Sequence, residues 1–399
     1  MTMSRRRTRP PRIAVSELRG AVQLAAQATR GIARVAEGVH AAVWRTLRTD
    51  AGAPPDRTRG LTGLVYRSIH GVSHVVERGA DRALAALQSR FGHDHDAAHP
   101  SPRRLAWRSA LNGVLGDHLH ASGNPLALPM SLRHRGQRID TDAALQMAAP
   151  SSHLLLLVHG LCMNDLQWRG EYQGQVVDHG ETLAEALAAT PVHLRYNTGL
   201  PIARNGRELS AQLDRLVARW PVPVERISIV AHSMGGLVAR SACHHGEREA
   251  MQWRRRVRDL VFLGVPHQGA PLERAGAWVT QWLGQLRFGA PFATLGQIRS
   301  AGITDLRDGR CHDEGFLPLP ADIACFSIAA TLAPQRSRIA ERLTGDGLVP
   351  LRSALGQHDD PTRDLGLLHQ PHWISHRTGH IELLRRPAVG TQILQWIRG

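Results

Sequence analysis

The sequence predicts an α/β fold, a mostly parallel sheet with helices on both faces, over residues 151–399 of the 399-residue chain. Three observations predict it. Short apolar runs such as "HLLLLVHG" and "RISIVAHS" are typical of strands that are buried on both faces. Helical patterns with one apolar face lie between such runs, most clearly in "NGRELSAQLDRLVARW". The alternation of strands and helices favours a parallel sheet.

The predicted elements follow one another in a regular order. The strands are "HLLLLVHG", "PVHLRYN", "RISIVAHS", "VRDLVFLGVP" and "DIACFSIAA", and the helices are "NGRELSAQLDRLVARW", "GGLVARSACHHG" and "AVGTQILQWIRG". In parallel sheets of this kind, functional sites lie at the carboxyl ends of the strands. We therefore expect the loops at His159, Ser233 and Pro266 to lie on one rim of the sheet.

The first 150 residues are organised differently and carry most of the positive charge. They hold 22 arginines against 11 acidic residues, whereas residues 151–399 hold 27 against 23. Residues 1–12 are predicted to be a disordered basic tail. Apolar residues at spacings of three, four and seven predict a helical hairpin over residues 13–90, interrupted at "GAPPD". Residues 91–150 are predicted to be a linker and lead-in segment, in which "SLRHRGQRI" forms a short hairpin.

Three roles are open for the helical hairpin. Its apolar faces pack on each other or on the main domain, it lies on a lipid surface as a basic amphipathic element, or it mediates oligomerisation. Peripheral membrane contact through residues 1–90 is therefore one expectation. The sequence shows no secretory signal pattern and no apolar window long enough for a membrane span, so a cytoplasmic location is expected.

Several function classes are disfavoured by the composition. No zinc-finger spacing, RNA-binding aromatic signature or helix-turn-helix accompanies the basic residues, so no nucleic-acid partner is expected. The four cysteines lack C-x-x-C spacing, which argues against a disulfide framework and a zinc site; they are Cys162, Cys243, Cys311 and Cys325. The histidines and aspartates of "FGHDHDAAHP" alternate in a loop and point in different directions, so no metal site is expected.

Ser233 lies at the junction between a predicted strand and a predicted helix, in "VAHSMGGLVAR". Small residues at Ala231 and Gly235 allow the strand and helix backbones to approach closely. This arrangement is typical of a nucleophile elbow, in which a strained turn exposes the serine hydroxyl at the rim of the sheet. The pattern G-x-S-x-G has alanine in its first position here, and alanine still leaves room for the turn.

A serine nucleophile requires backbone N–H donors that stabilise a developing oxyanion. We expect one donor to be the N–H of Met234, at the start of the helix. The second is expected in the loop "VHGLCMND", where we favour Leu161 over Cys162. His159 is expected to hold this loop in place.

The general base and its orienting acid are expected later in the chain than the serine. His380 in "RTGHIELL" is the favoured base, with His376 as its rival at the end of a strand-like segment. Asp346 in "TGDGLVP" is the favoured acid, because Asp305 and Asp308 precede the last predicted strand. His267 is expected to have a structural role.

A cap is predicted over about residues 275–315. The segment "AWVTQWLGQLRFGAPFATLGQI" places many large apolar side chains between two strands of the sheet. A plain core helix is the alternative.

These motifs, from "LLLLVHGL" through "IVAHSMGGLVAR" and "LVFLGVPHQGAPLER" to "GDGLVP" and "GHIELL", resemble the α/β-hydrolase superfamily. The resemblance spans about residues 150–399 and is greatest to bacterial lipase- and esterase-like members, including PGAP1-like proteins. It implies a serine ester hydrolase (esterase or lipase) with Ser233, Asp346 and His380 as its triad. It implies no metal and no organic cofactor.

The expected substrate is a small-molecule or lipid ester. An acyltransferase with the same triad is an alternative, as is a non-catalytic binding protein on the same fold.

Overall fold

The computed structural model describes residues 16–27, 101–139, 149–270, 300–313, 315–334 and 345–399. Residues 16–27 form helix α1, inside the predicted hairpin. The basic tail, the remainder of that hairpin and residues 275–299 of the predicted cap lie outside the described residues. None of the helices in these six ranges combines the length and apolar character needed to cross a membrane.

The described residues divide into two compact units. Residues 16–27, 101 and 121–126 belong to the first, and residues 102–120 together with the described residues from 127 onward belong to the second. In the first unit, the Asn124 side chain donates a hydrogen bond to the Gly20 carbonyl oxygen at 3.0 Å. Residues 102–120 and 127–139, which lie within the predicted lead-in segment, belong to the second unit.

The second unit is built on an eight-stranded sheet with a separate two-stranded hairpin. The sheet strands are β1 (Ser131–His134), β2 (Gln137–Arg138), β3 (His153–Val158), β6 (Thr190–Arg195), β7 (Arg226–His232), β8 (Val257–Leu263), β9 (Ala324–Thr331) and β10 (His372–His376), and the hairpin strands are β4 (Arg169–Tyr172) and β5 (Gln175–Asp178). Strands β3, β6, β7, β8 and β9 overlap the five predicted strands, and β1–β2 is the predicted short hairpin.

The described residues contain seven further helices. They are α2 (Pro102–Ala121), α3 (His179–Ala186), α4 (Ile202–Arg219), α5 (Met234–Arg248), α6 (Ala301–Asp308), α7 (Leu351–Ala354) and α8 (Pro387–Arg398). Short 3₁₀ helices occupy Asp165–Trp168, Gln252–Arg256, Pro361–Arg363, Leu367–His369 and Ile381–Leu384. Helices α4, α5 and α8 are the three that the sequence predicts.

The strand order is β10-β9-β8-β7-β3-β6-β1-β2. Strands β10 to β6 are parallel, and the β1–β2 hairpin joins the edge through an antiparallel pairing of β1 with β6. The chain moves from β3 to β6 on one side and then returns to β7 on the other side of β3. The order therefore reverses at β3, and ligands of open α/β sheets bind outside the carboxyl ends of the strands at such a point.

Both faces of the sheet are covered. Leu155 packs in one core cluster with Leu183 of α3 and Ile393 of α8. Its neighbour Leu156 points to the opposite face and is 1% exposed. Helices α4 and α5 pack against each other, and α5 packs against β3 and β7. The predicted fold class, a mostly parallel sheet with helices on both faces, is confirmed.

Helix α2 lies within the predicted lead-in segment, where no helix was predicted from the sequence. Its buried residues run without a break from Ser109 to Gly116. A helix that is enclosed on several sides lacks the polar face on which an amphipathic pattern depends, so its periodicity is weak. Gly113 and Gly116 permit close packing, because a Cβ atom there would overlap the side chains of Cys162 and Asn197.

Candidate active site

Ser233 lies between β7 and α5 in a backbone conformation that residues with a Cβ atom rarely adopt. Its φ is 54° and its ψ is −130°. The Ser233 N–H donates to the Leu263 carbonyl oxygen at 2.9 Å, and the Gly236 N–H donates to the Ser233 carbonyl oxygen at 2.9 Å. These two bonds fix the turn between neighbouring strand and helix, which is the geometry of a nucleophile elbow.

Glycines make this turn sterically accessible. A Cβ atom at Gly235 would lie 2.5 Å from the Val158 carbonyl oxygen, so only glycine lets α5 begin so close to the end of β3. A Cβ atom at Gly160 would lie 3.0 Å from the Ser233 Cβ atom. The loop after β3 and the elbow after β7 are thus in direct contact.

His380 and Asp346 form a buried hydrogen-bonded pair. The His380 Nδ1 and Asp346 Oδ2 atoms are 2.7 Å apart, and both side chains are at most 5% exposed. The other carboxylate oxygen of Asp346 accepts the N–H groups of Leu348 and Val349 at 3.0 and 2.8 Å. These bonds fix the carboxylate, which in turn orients the imidazole ring.

Ser233 and His380 line one small cavity of about 30 Å³ together with Leu161. The other lining residues are Pro266, Ala270, Leu306, Leu348 and Val349. Within the described residues, no hydrogen bond joins the Ser233 and His380 side chains. Such a bond often forms only when a substrate is present, so the cavity brings the two groups together without aligning them fully.

Two backbone N–H groups near Ser233 have no acceptor among the described residues. One belongs to Leu161, which lines the cavity, and the other to Met234, which directly follows Ser233 as the first residue of α5. The N–H of Cys162, the alternative to Leu161, donates to the Thr198 hydroxyl at 3.1 Å. The N–H groups of Leu161 and Met234 are therefore available to a ligand oxygen, whereas that of Cys162 is already hydrogen-bonded.

The remaining candidates lie elsewhere. His376 ends β10 and does not line the cavity. Asp305 accepts the Ile202 N–H at 2.9 Å, and Asp308 pairs with Arg307. His267 packs against the Phe262 ring, with centroids 4.6 Å apart.

Two contacts of the pair were not predicted from the sequence. The His232 Nε2 atom lies 3.2 Å from the His380 carbonyl oxygen, which ties the end of β7 to the loop that carries His380. A Cβ atom at Gly264 would lie 3.2 Å from both Asp346 Oδ2 and His380 Nδ1. The sequence offers one signal, the "LGVP" bend directly after β8. No spacing relates Gly264 to Asp346 and His380, which follow it by 82 and 116 positions.

The histidines that surround the site are buried and neutral. Burial, with a further contribution from His380, lowers the pKa of His232 well below its ordinary value. Burial also lowers the pKa of His159 to about 4. The His159 ring stacks on Tyr196 at 4.5 Å, and the Tyr196 hydroxyl donates to the His159 carbonyl oxygen at 2.8 Å. His159 thus holds its loop through packing, as expected.

Comparisons with known proteins found one matching family model and several solved structures that are similar to this chain. A family model described as a domain of unknown function, DUF7379, matches residues 131–286. No curated protein matches the chain. The chain is similar to the mature lipase BlEst2 of Bacillus licheniformis, with 16% identity and a TM-score of 0.41 over 62% of this chain and 94% of that one.

Two further solved structures are similar at the same level. Lipase 1 from Pelosinus fermentans has 13% identity and a TM-score of 0.37 over 62% of this chain and 97% of that one. The RedJ thioesterase of the prodiginine pathway of Streptomyces coelicolor has 16% identity and a TM-score of 0.33 over 63% and 95%.

Identities and TM-scores this low do not by themselves establish a fold. The α/β-hydrolase fold follows from this chain's own strand order and from the elbow at Ser233. The resemblance to PGAP1-like proteins stays a prediction.

Proposed function

We propose that the chain is a serine carboxylic-ester hydrolase that forms an acyl-enzyme on Ser233. One observation carries the proposal. A strained serine shares a small cavity with Leu161 and with a histidine whose Nδ1 lies 2.7 Å from a buried carboxylate, and the backbone N–H groups of Leu161 and of the next residue after the serine, Met234, have no acceptor among the described residues. These are the four components of acyl transfer: nucleophile, base, orienting acid and oxyanion donors.

Acylation begins when the Ser233 hydroxyl attacks the ester carbonyl carbon. His380 Nε2 accepts the hydroxyl proton, because Asp346 holds the proton of the neutral ring on Nδ1. The carbonyl oxygen becomes negatively charged and accepts the N–H groups of Leu161 and Met234. Collapse of the intermediate breaks the ester C–O bond, and His380 returns its proton to the departing alcohol.

Deacylation repeats these steps with water as the nucleophile. His380 takes a proton from water, the hydroxide attacks the acyl carbon, and the Ser233 oxygen leaves with the proton that His380 returns. The carboxylic acid is then released. Every step uses side chains and backbone groups of this chain.

The cavity favours an apolar acyl group. Apart from Ser233 and His380, its lining residues have apolar side chains, and its volume of about 30 Å³ accommodates a group of the size of water or methyl. The methyl group of an acetyl ester matches this volume. A long-chain lipid ester requires the lining to move.

Turnover of p-nitrophenyl esters from acetate to palmitate tests the proposal. We expect Ser233→Ala to lose at least about 10⁴-fold in kcat, and Asp346→Asn to lose a similar factor because its ring tautomer is no longer fixed. Asp322→Asn is the control, since Asp322 is exposed and precedes β9 at the opposite end of the sheet.

Each alternative predicts a different result in the same assay. Turnover that persists in Ser233→Ala, or a folded wild type without turnover of any ester, contradicts the proposal, and the second result favours a binding protein. Adding glycerol distinguishes an acyltransferase, which would yield glyceryl ester in preference to free acid.

A further inference from the structure

A second cavity, of about 600 Å³, lies in the sheet-bearing unit apart from the cavity at Ser233. Ser233, Leu161 and His380 are not among its lining residues. Its lining is rich in cationic and imidazole groups, which are Arg240, His267, Arg310, His312 and Arg363. The mechanism proposed above uses none of these five side chains.

Arg240 is a buried charge that forms no ion pair with any carboxylate of the described residues. It lies on α5, seven residues after Ser233, and is 2% exposed. Its Nη1 atom lies 3.2 Å from His267 Nδ1, and its Nη2 donates to the Leu317 carbonyl oxygen. In the described part of the chain, no carboxylate forms an ion pair with it. Burial of an unpaired guanidinium is costly, so its retention at a cavity calls for a compensating charge.

His267 adds a second unpaired donor at the same place. Because an Arg240 N–H donates to its Nδ1, the ring proton is on Nε2. Burial and the neighbouring Arg240 charge lower the pKa of His267 well below its ordinary value, so the ring is neutral. The N–H groups at His267 Nε2 and Arg240 Nε are both buried without an acceptor in the residues that the structure describes.

Among the described residues, two carboxylates line the cavity, and each has an arginine partner other than Arg240. Asp308 is held by Arg307 at 2.5 Å and by Arg310 at 3.6 Å. Asp313 lies 4.0 Å from Arg207. Neither neutralises Arg240, and exposed Arg363 forms no ion pair with a described carboxylate.

We propose that this cavity binds an oxyanion, presented by a small molecule as a carboxylate or a phosphate. An oxyanion accepts hydrogen bonds and carries negative charge. The described neighbours of Arg240 and His267 supply neither an acceptor for the two N–H groups nor a negative charge that pairs with Arg240. Both residues line the cavity, but the two N–H groups are themselves buried, so contact with a ligand requires the lining side chains to move. Arg363 attracts the ligand at the rim.

Calorimetric titration of the full chain with sodium phosphate and with sodium acetate, at constant ionic strength, tests the proposal. We expect saturable binding of at least one anion, and the comparison of the two shows whether phosphate or carboxylate is preferred. Arg363→Gln should weaken binding about fivefold or more, and Arg240→Gln should abolish it. Arg248→Gln removes an exposed charge from the same helix and should bind as the wild type does.

Two results would overturn the proposal: neither anion saturates, or Arg363→Gln binds as tightly as Arg248→Gln. The Arg363 comparison remains decisive if Arg240→Gln fails to fold. Ser233→Ala should bind the anion normally, because the proposal does not depend on ester hydrolysis.

Discussion

The strained backbone at Ser233 is the main observation on a single residue that supports a nucleophilic role for this serine. A non-glycine residue at φ 54°, ψ −130° costs on the order of 1–3 kcal/mol, and such strain concentrates at functional sites. The hydrogen bonds to Leu263 and from Gly236 hold it in place. Since Ser233 makes no side-chain cap for α5, its hydroxyl is left available for chemistry.

Gly264→Ala tests the packing around the His380–Asp346 pair. The new Cβ atom would lie 3.2 Å from both partner atoms and 2.9 Å from Leu383. We expect kcat to fall at least about tenfold, because a shift of about 1 Å in catalytic groups has effects of this size. Hydrolysis of p-nitrophenyl acetate measures it.

Gly366→Ala is the matched control for that change. Gly366 has a φ of 64° against 56° at Gly264, but no atom lies within 4 Å of its added Cβ. Both variants should lose about 1 kcal/mol of stability from backbone strain, and only Gly264→Ala should lose activity. Equal kcat in the two variants would mean that the pair tolerates displacement.

Single residues were predictable from the sequence where a local pattern encodes them. Ser233 is recognisable from a strand, a bend and a helix in direct succession, and Asp346 from its flanking glycines. The contacts of Gly264 and His232 with the His380–Asp346 pair join segments more than 80 residues apart, so no local pattern carries them.

At the scale of elements, helix α2 supports the loops that form the site. Its Gly113 packs against Cys162, and the Gly116 carbonyl oxygen accepts the Asn197 side chain at 2.9 Å. The Gly113 carbonyl oxygen also accepts the Ser300 hydroxyl at 2.7 Å. The sequence did not reveal this helix because burial around its circumference removes the polar face that periodicity analysis detects.

Thr198→Val tests whether the loop after β3 must be fixed for activity. The change removes the acceptor of the Cys162 N–H and leaves that group buried and unpaired, which costs about 1–3 kcal/mol. Because Leu161 directly precedes Cys162, we expect kcat for p-nitrophenyl acetate to fall at least about tenfold.

Thr190→Val provides the comparison at the other end of β6. Thr190 accepts the Ser151 N–H at 2.9 Å, so this variant loses the same kind of bond far from the cavity. Chemical denaturation should show that both variants are destabilised, with kcat lowered in Thr198→Val alone. An equal loss of kcat in both variants would contradict the prediction that activity depends on the loop after β3 in particular.

At the scale of the whole molecule, buried neutral histidines make stability depend on pH. Burial lowers the pKa of His159 and His179 to about 4, and those of His232 and His267 fall well below 6.5. Below pH 6.5 the unfolded chain binds protons that the folded chain excludes. The free energy of unfolding should therefore fall between pH 6.5 and about 4, by up to about 1.4 kcal/mol per pH unit for each group.

Denaturant titrations at several pH values measure this slope. His179→Gln should reduce the slope by the equivalent of about one bound proton, and His372→Gln, which changes an exposed histidine of β10, is the comparison variant. Stability that stays constant from pH 6.5 to 4 would contradict the prediction.

The proposed membrane contact through residues 1–90 also belongs to this scale and stays a prediction, since only residues 16–27 of that segment are described. Co-sedimentation of the full chain with phosphatidylglycerol vesicles checks it, with phosphatidylcholine vesicles as the neutral comparison.

The central claim is that Ser233 is an activated nucleophile. Labelling with a fluorophosphonate, followed by peptide mass spectrometry, tests it most directly, because the reagent reacts with serines that a neighbouring base activates. We expect one adduct, on the peptide that contains Ser233. It should be absent in Ser233→Ala and form much more slowly in Asp346→Asn. An adduct on another residue, or a folded wild type that remains unlabelled, would contradict it.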